Sequence, residues 1–312
     1  MFIIKEGELA AENILVSEKI DFVRVKNFLA VRDEAKEIVK IASGKSVKAI
    51  VLDSYDLTVD YIEELRGIKA SITLIDDRNY MSYPDVDNII NGNAFSPDLE
   101  YETRQKTGVY LGTEYYMVSE DFITVCSNSR EDNRDIQTVI CLSSADKKLL
   151  FKAIDGVMKA TTGNVVIILT AYQKDMFDAL NEFMQEKDRT RTRICCDLAI
   201  KDVAEIMRRS VLFVSGGGTM MYQAMLSGCA VVAVPLNEYQ SRNVASLVRL
   251  NAVRRVGKED VFSGDYAKAV TGILEKGTEK DILLEHSVKV IDGRGIERIS
   301  DIILNGVSGE RE

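Results

Sequence analysis

"VLFVSGGGTMMYQAMLSGCAVVAVP", residues 211–235, sets an apolar run against three glycines, a helical pattern and a second apolar run. Val211–Val214 reads as a strand buried on both faces, as in a parallel sheet. Thr219–Leu226 reads as a helix and Ala230–Pro235 as the next strand. The turn Ser215-Gly216-Gly217-Gly218-Thr219 therefore feeds a helix whose first N–H groups have no partner inside the helix. Glycine lets an anion approach that backbone closely, and the helix dipole favours negative charge there. A plainer reading stands beside this one: a tight strand-to-helix turn with Thr219 as N-cap. The spacing is not Walker A, because no GK[ST] follows, and it is not GxGxxG.

Polar residues gather around the turn. Gln223 lies one helical turn after Thr219, on the same face. Asn237, Glu238, Tyr239 and Gln240 follow the second strand. Two polar clusters thus rise from neighbouring strand ends.

The same alternation extends in both directions. "MFIIK", "DFVRV", "VKAIVLD", "ASITLIDD", "VDNIIN" and "GVYLG" read as strands, with helical patterns such as "RDEAKEIVKIA" among them. The alternation restarts at "TVICLS". Between them, Ser119–Gln137 is polar, charged and without apolar periodicity after Val125, so it reads as a linker. The expected organisation is a domain over 1–120, a linker over 121–136 and a second domain over 137–312. Two βαβ arrays predict an α/β protein of two doubly wound, Rossmann-like domains facing across a cleft, with ligands at the carboxyl ends of the strands.

Composition excludes several classes. A formal net charge of −9 lacks the basic footprint of a nucleic-acid or membrane-surface protein. No apolar run reaches the length of a membrane span, and "MFIIKEGEL" does not read as a signal peptide. The five cysteines, Cys126, Cys141, Cys195, Cys196 and Cys229, form no CxxC and read as reduced thiols of a cytoplasmic protein. His286 is the only histidine, which rules out a histidine-rich metal site and leaves one place for a Ser-His-Asp triad. Its neighbourhood, "KDILLEHSVKV", offers no nucleophile signal.

The glycine turn, the Y-x-A helix, "SGCAVVAVP" and "N-x-x-Q" resemble the C-terminal domain of B-type-fold glycosyltransferases. In the first half, "VLDSYDLTVDYIEELRG", "ITLIDD", "DNIINGNA" and "YLGTEYYMVSEDF" resemble the UDP-sugar hydrolase of pseudaminic-acid biosynthesis and its spore-coat polysaccharide relatives, as does "IDGRGIERISDII" near the end. The resemblance covers roughly residues 1 to 305, and the order of the motifs is its specific part. It implies a protein that binds a UDP-linked diacetamido deoxy sugar, directs water onto the anomeric carbon with inversion and releases UDP, with no metal and no cofactor. Ser215, Gly216, Gly217, Gly218 and Thr219 would sit near the diphosphate, Gln223 near the ribose, and Asn237 and Gln240 near the sugar or phosphates. Tyr55, Asn91 and Asn93 would hold the sugar, and Asp53, Tyr55, Asp76 and Asp77 are the candidates for chemistry. From the residues alone, Asp53 and Asp76 also read as caps of the turns after their strands, and Asp76-Asp77 as a solvated pair.

Three departures from that family stand out. Its opening strand and G-x-G-H-x-x-R loop, which carries the presumed basic histidine, have no counterpart, so one βα unit is missing at the front. Gln223 stands where the family has glutamate, which weakens ribose binding by exchanging an acceptor for a donor. Ser143-Ser144-Ala145-Asp146 replaces a GG-x-D opening. Two functions follow: a nucleotide-sugar hydrolase or transferase, or a sugar-nucleotide-binding partner or regulatory subunit that has lost catalysis. A homodimer, or a partner chain supplying the missing unit, is the expected assembly.

Overall fold

The computed structural model describes residues 1–27, 30–79, 82, 86–103, 106–128, 134–185, 189–275 and 277–308. The chain divides into two units, one of Met1–Asn91, Asp98–Leu111 and Glu297–Glu312, the other of Gly92–Pro97 and Gly112–Ile296.

The first unit runs β1 (Phe2–Lys5), α1 (Leu9–Ser17), β2 (Phe22–Val25), α2 (Val31–Ala42), β3 (Ala49–Leu52), α3 (Val59–Leu65), β4 (Ser71–Ile75), β5 (Asn88–Asn91) and β6 (Gly108–Leu111). All of its strand pairs are parallel. They form two separate sheets, β1-β2 and β3-β4-β5-β6. Asp33 and Glu34 occupy the first turn of α2, where carboxylates suit the helix dipole, and Ala35 and Ile38 turn inward from it. Thr58 caps α3 by accepting from Tyr61 N at 3.3 Å. The Asp87 carboxylate accepts from Arg66 and from Ile72 N, both at 2.8 Å, and so ties the end of α3 to β4. Ile62, Leu65, Ile72, Leu74 and Ile89 make the centre of the core. Each such side chain contributes about 1.5–3 kcal/mol by leaving water.

The second unit continues with α4 (Glu120–Asn128), β7 (Ile136–Cys141), α5 (Lys147–Ala160), β8 (Val165–Leu169), α6 (Phe177–Gln185), β9 (Thr192–Cys196), α7 (Ile200–Arg208), β10 (Ser210–Ser215), α8 (Thr219–Leu226), β11 (Ala230–Ala233), α9 (Glu238–Arg249), β12 (Arg254–Arg255), α10 (Gly264–Leu274) and α11 (Thr278–Val290). The last helix is α12 (Gly295–Ser308). One six-stranded parallel sheet has the order β12-β11-β10-β7-β8-β9. Strand order reverses between β7 and β10, so the connections after these two strands leave toward opposite helix layers, the arrangement that opens a crevice at the carboxyl ends of a doubly wound sheet. The continuous apolar runs of β8, β10 and β11 are buried because helices cover both faces.

The first half of the expected linker is a helix. Val118, Phe122 and Val125 recur at helical spacing and all three are buried, so α4 packs as part of the second unit, against α7 and α8. The charged residues around this short apolar stripe masked it in the sequence; residues 129–133 of the same stretch lie outside the described ones. All five cysteines are free. Cys141 and Cys229 are buried, and burial pushes both thiols up to about 12.

Candidate functional site

The crevice at the switch point has two strand-to-helix corners, one after β7 and one after β10, with Cys141 and Ser215 in register at their lips. They end differently. After β7, Asp146 is the N-cap of α5 and its carboxylate accepts from Leu149 N at 2.8 Å. Asp146, the residue that the Ser143-Ser144-Ala145-Asp146 opening shares with the GG-x-D pattern, thus gives this helix mouth an anion of its own. After β10, the N-cap of α8 is Gly218, with φ −96° and no side-chain cap. Thr219, expected as the cap, is the first helical residue and is exposed.

The glycines divide into two roles. Gly216 and Gly217 are buried under α9. Gly217 has φ +93°, its N–H donates to Ser215 Oγ at 3.2 Å, and a Cβ there would lie 2.6 Å from Val244 Cγ2. Only glycine allows both that conformation and that approach. Both were expected near a diphosphate; the space a Cβ would need at each is taken by Gln240 and Val244 of α9, which is a packing reason for glycine at these two positions. Gly218 is different: a Cβ there would meet nothing nearer than Gln240 Nε2 at 4.0 Å. The approachable backbone is therefore the Gly218 end of the turn and the first turn of α8.

The remaining candidates of this unit sort by burial. Ser215 and Gln240 are buried. Gln240 Oε1 accepts from Leu236 N at 2.8 Å, so Gln240 braces the turn from behind. Asn237 is exposed and caps α9 by accepting from Gln240 N at 2.9 Å. Gln223 is half-buried on α8, one turn below Thr219.

Asn93 belongs to the second unit, through the segment Gly92–Pro97, and not with the sugar-side residues where it was expected. It is 2% exposed. Its Oδ1 accepts from Tyr239 OH at 2.6 Å and from Asn243 Nδ2 at 3.2 Å. Tyr222 OH in turn donates to Asn243 Oδ1 at 2.7 Å and accepts from Ala94 N at 2.9 Å, while the Tyr222 ring stacks on Tyr116 at 4.0 Å. Asn93 holds this segment in place. Sequence reading missed Tyr222 and Asn243; the available signal was a polar residue on the inward face of each of two amphipathic helices.

In the first unit, Asp53 follows β3, and Asp76 and Asp77 follow β4. Tyr55, 58% exposed, donates to Asp77 Oδ2 at 2.9 Å, and the Arg78 guanidinium lies 4.1 Å above its ring. Burial, then the hydrogen bond to Asp77 and its charge, pushes the Tyr55 phenol up to about 12. Asp53 is exposed as a residue, yet desolvation of its carboxyl and, second, the charge of Asp77 raise its pKa. Asp76 is buried and accepts from Arg78 N at 3.0 Å and Asn79 N at 2.8 Å, so it caps its turn. Asn91 is buried at the end of β5 and donates to Tyr101 OH at 3.0 Å. Of the residues expected on the sugar, Tyr55 reaches the surface, whereas Asn91 and Asn93 are interior.

His286 lies on α11 with Nδ1 2.8 Å from Leu250 O. Among the described residues no cluster of three or more His, Cys, Asp or Glu is placed to hold a metal, and no helix is long and apolar enough to cross a membrane. A surface depression of about 860 Å³ lined by Lys147, Lys148, Phe151, Lys152, Phe183 and Phe262 is built from side chains of α5, α6 and the turn before α10, with no residue of the glycine turn.

No known family profile matches the chain. An uncharacterized protein of Methanocaldococcus jannaschii is 19% identical over 279 residues, 87% of this chain and 57% of that protein. The chain thus spans little more than half the length of this relative. Among solved structures, MurG of Acinetobacter baumannii superposes with a TM-score of 0.63 at 11% identity, over 97% of this chain and 90% of MurG. The complex of S. aureus MnaA with UDP gives 0.64 at 13%, over 98% and 89%. Anabaena HepE in complex with UDP gives 0.63 at 12%, over 97% and 92%. At these identities the likeness establishes the fold: the chain has the two Rossmann-like domains of B-type glycosyltransferases.

Proposed function

We propose that the chain binds a UDP-linked sugar, with the diphosphate at the mouth of α8. The observation that carries this reading is the contrast between two adjacent corners: Asp146 fills the mouth of α5, while Gly218 leaves that of α8 uncapped and approachable. Backbone N–H groups and the helix dipole there suit a phosphate. Gln223, one turn along the same face, is the ribose contact in this reading. Two proteins of this fold were solved with UDP, which supports the choice of nucleotide.

The chemistry we assign is that of the resemblance, hydrolysis or transfer at the anomeric carbon of a UDP-linked acetamido sugar in surface-polysaccharide or nonulosonic-acid synthesis. Asp53, whose pKa is raised by desolvation and then by the charge of Asp77, is the acid–base candidate that the first unit offers in this reading. Tyr55 orients Asp77. A second reading, a sugar-nucleotide-binding subunit without turnover, is favoured by one observation: the single imidazole is engaged with Leu250 O on α11.

Calorimetric titration with UDP and an assay of UDP release from UDP-N-acetylglucosamine and a UDP-diacetamido sugar test both. Binding with release supports the enzyme; binding without release supports the subunit; absence of UDP binding overturns both.

A further inference from the structure

The depression between α5, α6 and the turn Glu259–Phe262 lies wholly within the second unit and shares no residue with the glycine turn. Its volume of about 860 Å³ falls in the range of roughly 300–1,000 Å³ usual for small-molecule sites. Phe151 and Phe183 stack in it with ring centroids 4.7 Å apart. Phe262, on the turn before α10, is 43% exposed. Three lysines of α5 line the same space. Lys147 Nζ lies 5.5 Å from the centre of the Phe151 ring and Lys148 Nζ 5.4 Å from that of Phe262. Lys152 is the third.

Helix energetics gives no reason for this cluster. Lys147 and Lys148 are the first two residues of α5, which has no acidic residue in its first turn. Cations at that end oppose the helix dipole. Lys148 and Lys152, four residues apart, set like charges on one face, which disfavours the helix again. The three ammonium groups make no ion pair among the described residues. Acidic side chains close to them in sequence have other partners. Asp146 accepts from Leu149 N at 2.8 Å, and Asp155, on the rim of the depression, pairs with Lys159 at 2.7 Å. Asp260 accepts from Gly257 N at 3.0 Å. In a chain of formal net charge −9, unmatched positive charge is thus gathered around aromatic rings in a concave site. A local rule broken without a gain in stability marks a place where function is served.

We infer that this depression is a second ligand site, which takes a nucleoside di- or triphosphate. The ammonium groups meet the phosphates and the phenylalanine rings meet the base. Cation–π contact with Phe151 and Phe262 keeps two of the ammonium groups over the depression before the ligand arrives. Phenylalanine rings stack on any base and offer it no hydrogen bond, so the site reads the class of ligand and not the base. A protein partner of ordinary size covers about 800 Å² and 20–30 residues a side, whereas a few side chains of three elements close this depression. The inference stands apart from the reading of the α8 mouth, because the two sites have no residue in common.

NMR titration of the full chain with carbon-13-labelled phenylalanine tests it. The probes are ATP with EDTA present, and its two parts, inorganic tripolyphosphate and adenosine. ATP shifts the ring signals of Phe151, Phe183 and Phe262, and binds at least about tenfold more tightly than either part, the gain expected of one stacked base. The double variant Lys148→Gln, Lys152→Gln weakens ATP and tripolyphosphate alike. Phe262→Ala, an exposed position, removes the advantage of ATP over tripolyphosphate and leaves tripolyphosphate affinity unchanged. Gly218→Asp leaves the ring shifts in place, so failure at the α8 mouth and failure here are told apart. Absent ring shifts, equal affinity for ATP and tripolyphosphate, or ATP affinity unchanged in the double lysine variant overturns the inference. Ring shifts lost in Gly218→Asp overturn it by returning the nucleotide to the α8 mouth. Tighter binding of a glutamate/phenylalanine heptapeptide, or of phosphatidylglycerol vesicles, to the same rings overturns it by assigning the depression to a protein or a membrane.

Discussion

Asn243 Nδ2 donates to Asn93 Oδ1 at 3.2 Å across 150 residues of sequence, and Tyr239 OH donates to the same oxygen. This acceptor, with Ala94 N donating to Asn243 Oδ1 at 3.2 Å, fastens the segment Gly92–Pro97 to α9. Asn93→Ala leaves two donors buried without it, and the cost is about 1–3 kcal/mol by urea denaturation. A double-mutant cycle of Asn93→Ala with Asn243→Ala returns a coupling energy of about 0.5–3 kcal/mol. Additive single effects would show that the contact carries no energy of its own.

Gly218→Asp gives α8 the cap that α5 already has in Asp146. The backbone of Gly218, with negative φ, accepts a side chain, and nothing crowds its Cβ. Stability rises by a few tenths of a kcal/mol, on the order of an N-cap gain over glycine. UDP affinity falls sharply, because a fixed carboxylate takes the phosphate's place. Thermal melting and UDP calorimetry on one sample read the two opposed changes.

Gly217→Ala behaves in the opposite way. Its φ of +93° costs about 1–3 kcal/mol for any residue with a Cβ. The clash with Val244 adds to that. The second unit therefore loses stability whether or not UDP is present. An unchanged denaturation midpoint would mean that α9 does not close on this turn.

Asp77→Asn lowers the pKa of Asp53, because it removes the second cause of its rise and leaves desolvation, the first. A carboxyl raised in the folded state stabilises the fold below its unfolded pKa and loses that contribution as pH rises through the folded value. Removing the Asp77 charge therefore moves the loss to lower pH. Carbon-13 NMR titration of labelled aspartate follows Asp53 directly, and a midpoint unmoved by the substitution would contradict the pairing. The Tyr55 phenol also falls from its value near 12.

The fold was legible because its signals are local and repeated. Runs such as Val165–Leu169 and the stretch at 211–235 state a buried parallel sheet by periodicity alone. The helix α4 was not legible: its two buried apolar residues, Phe122 and Val125, sit among charges that dilute the pattern. The site was readable as residue types but not as roles. Gly216, Gly217 and Gly218 look alike in sequence, and only the packing of Val244 and Gln240 separates the two that admit α9 from the one left open. Asn91 and Asn93 share a motif, yet each is consumed by an interior partner, Tyr101 or Tyr239 and Asn243, that lies on another element.

Cys229 turns the second unit into its own clock. The thiol is wholly enclosed, within 3.0 Å of Met207 O, and has almost no thiolate at neutral pH. A maleimide consumes the partly accessible Cys126 and Cys196 early, and then waits. The late alkylation of Cys229, read by mass spectrometry apart from that of buried Cys141 and Cys195, measures how often the start of β11 comes free of its neighbours, and a ligand that seals the unit would slow it in proportion to its occupancy.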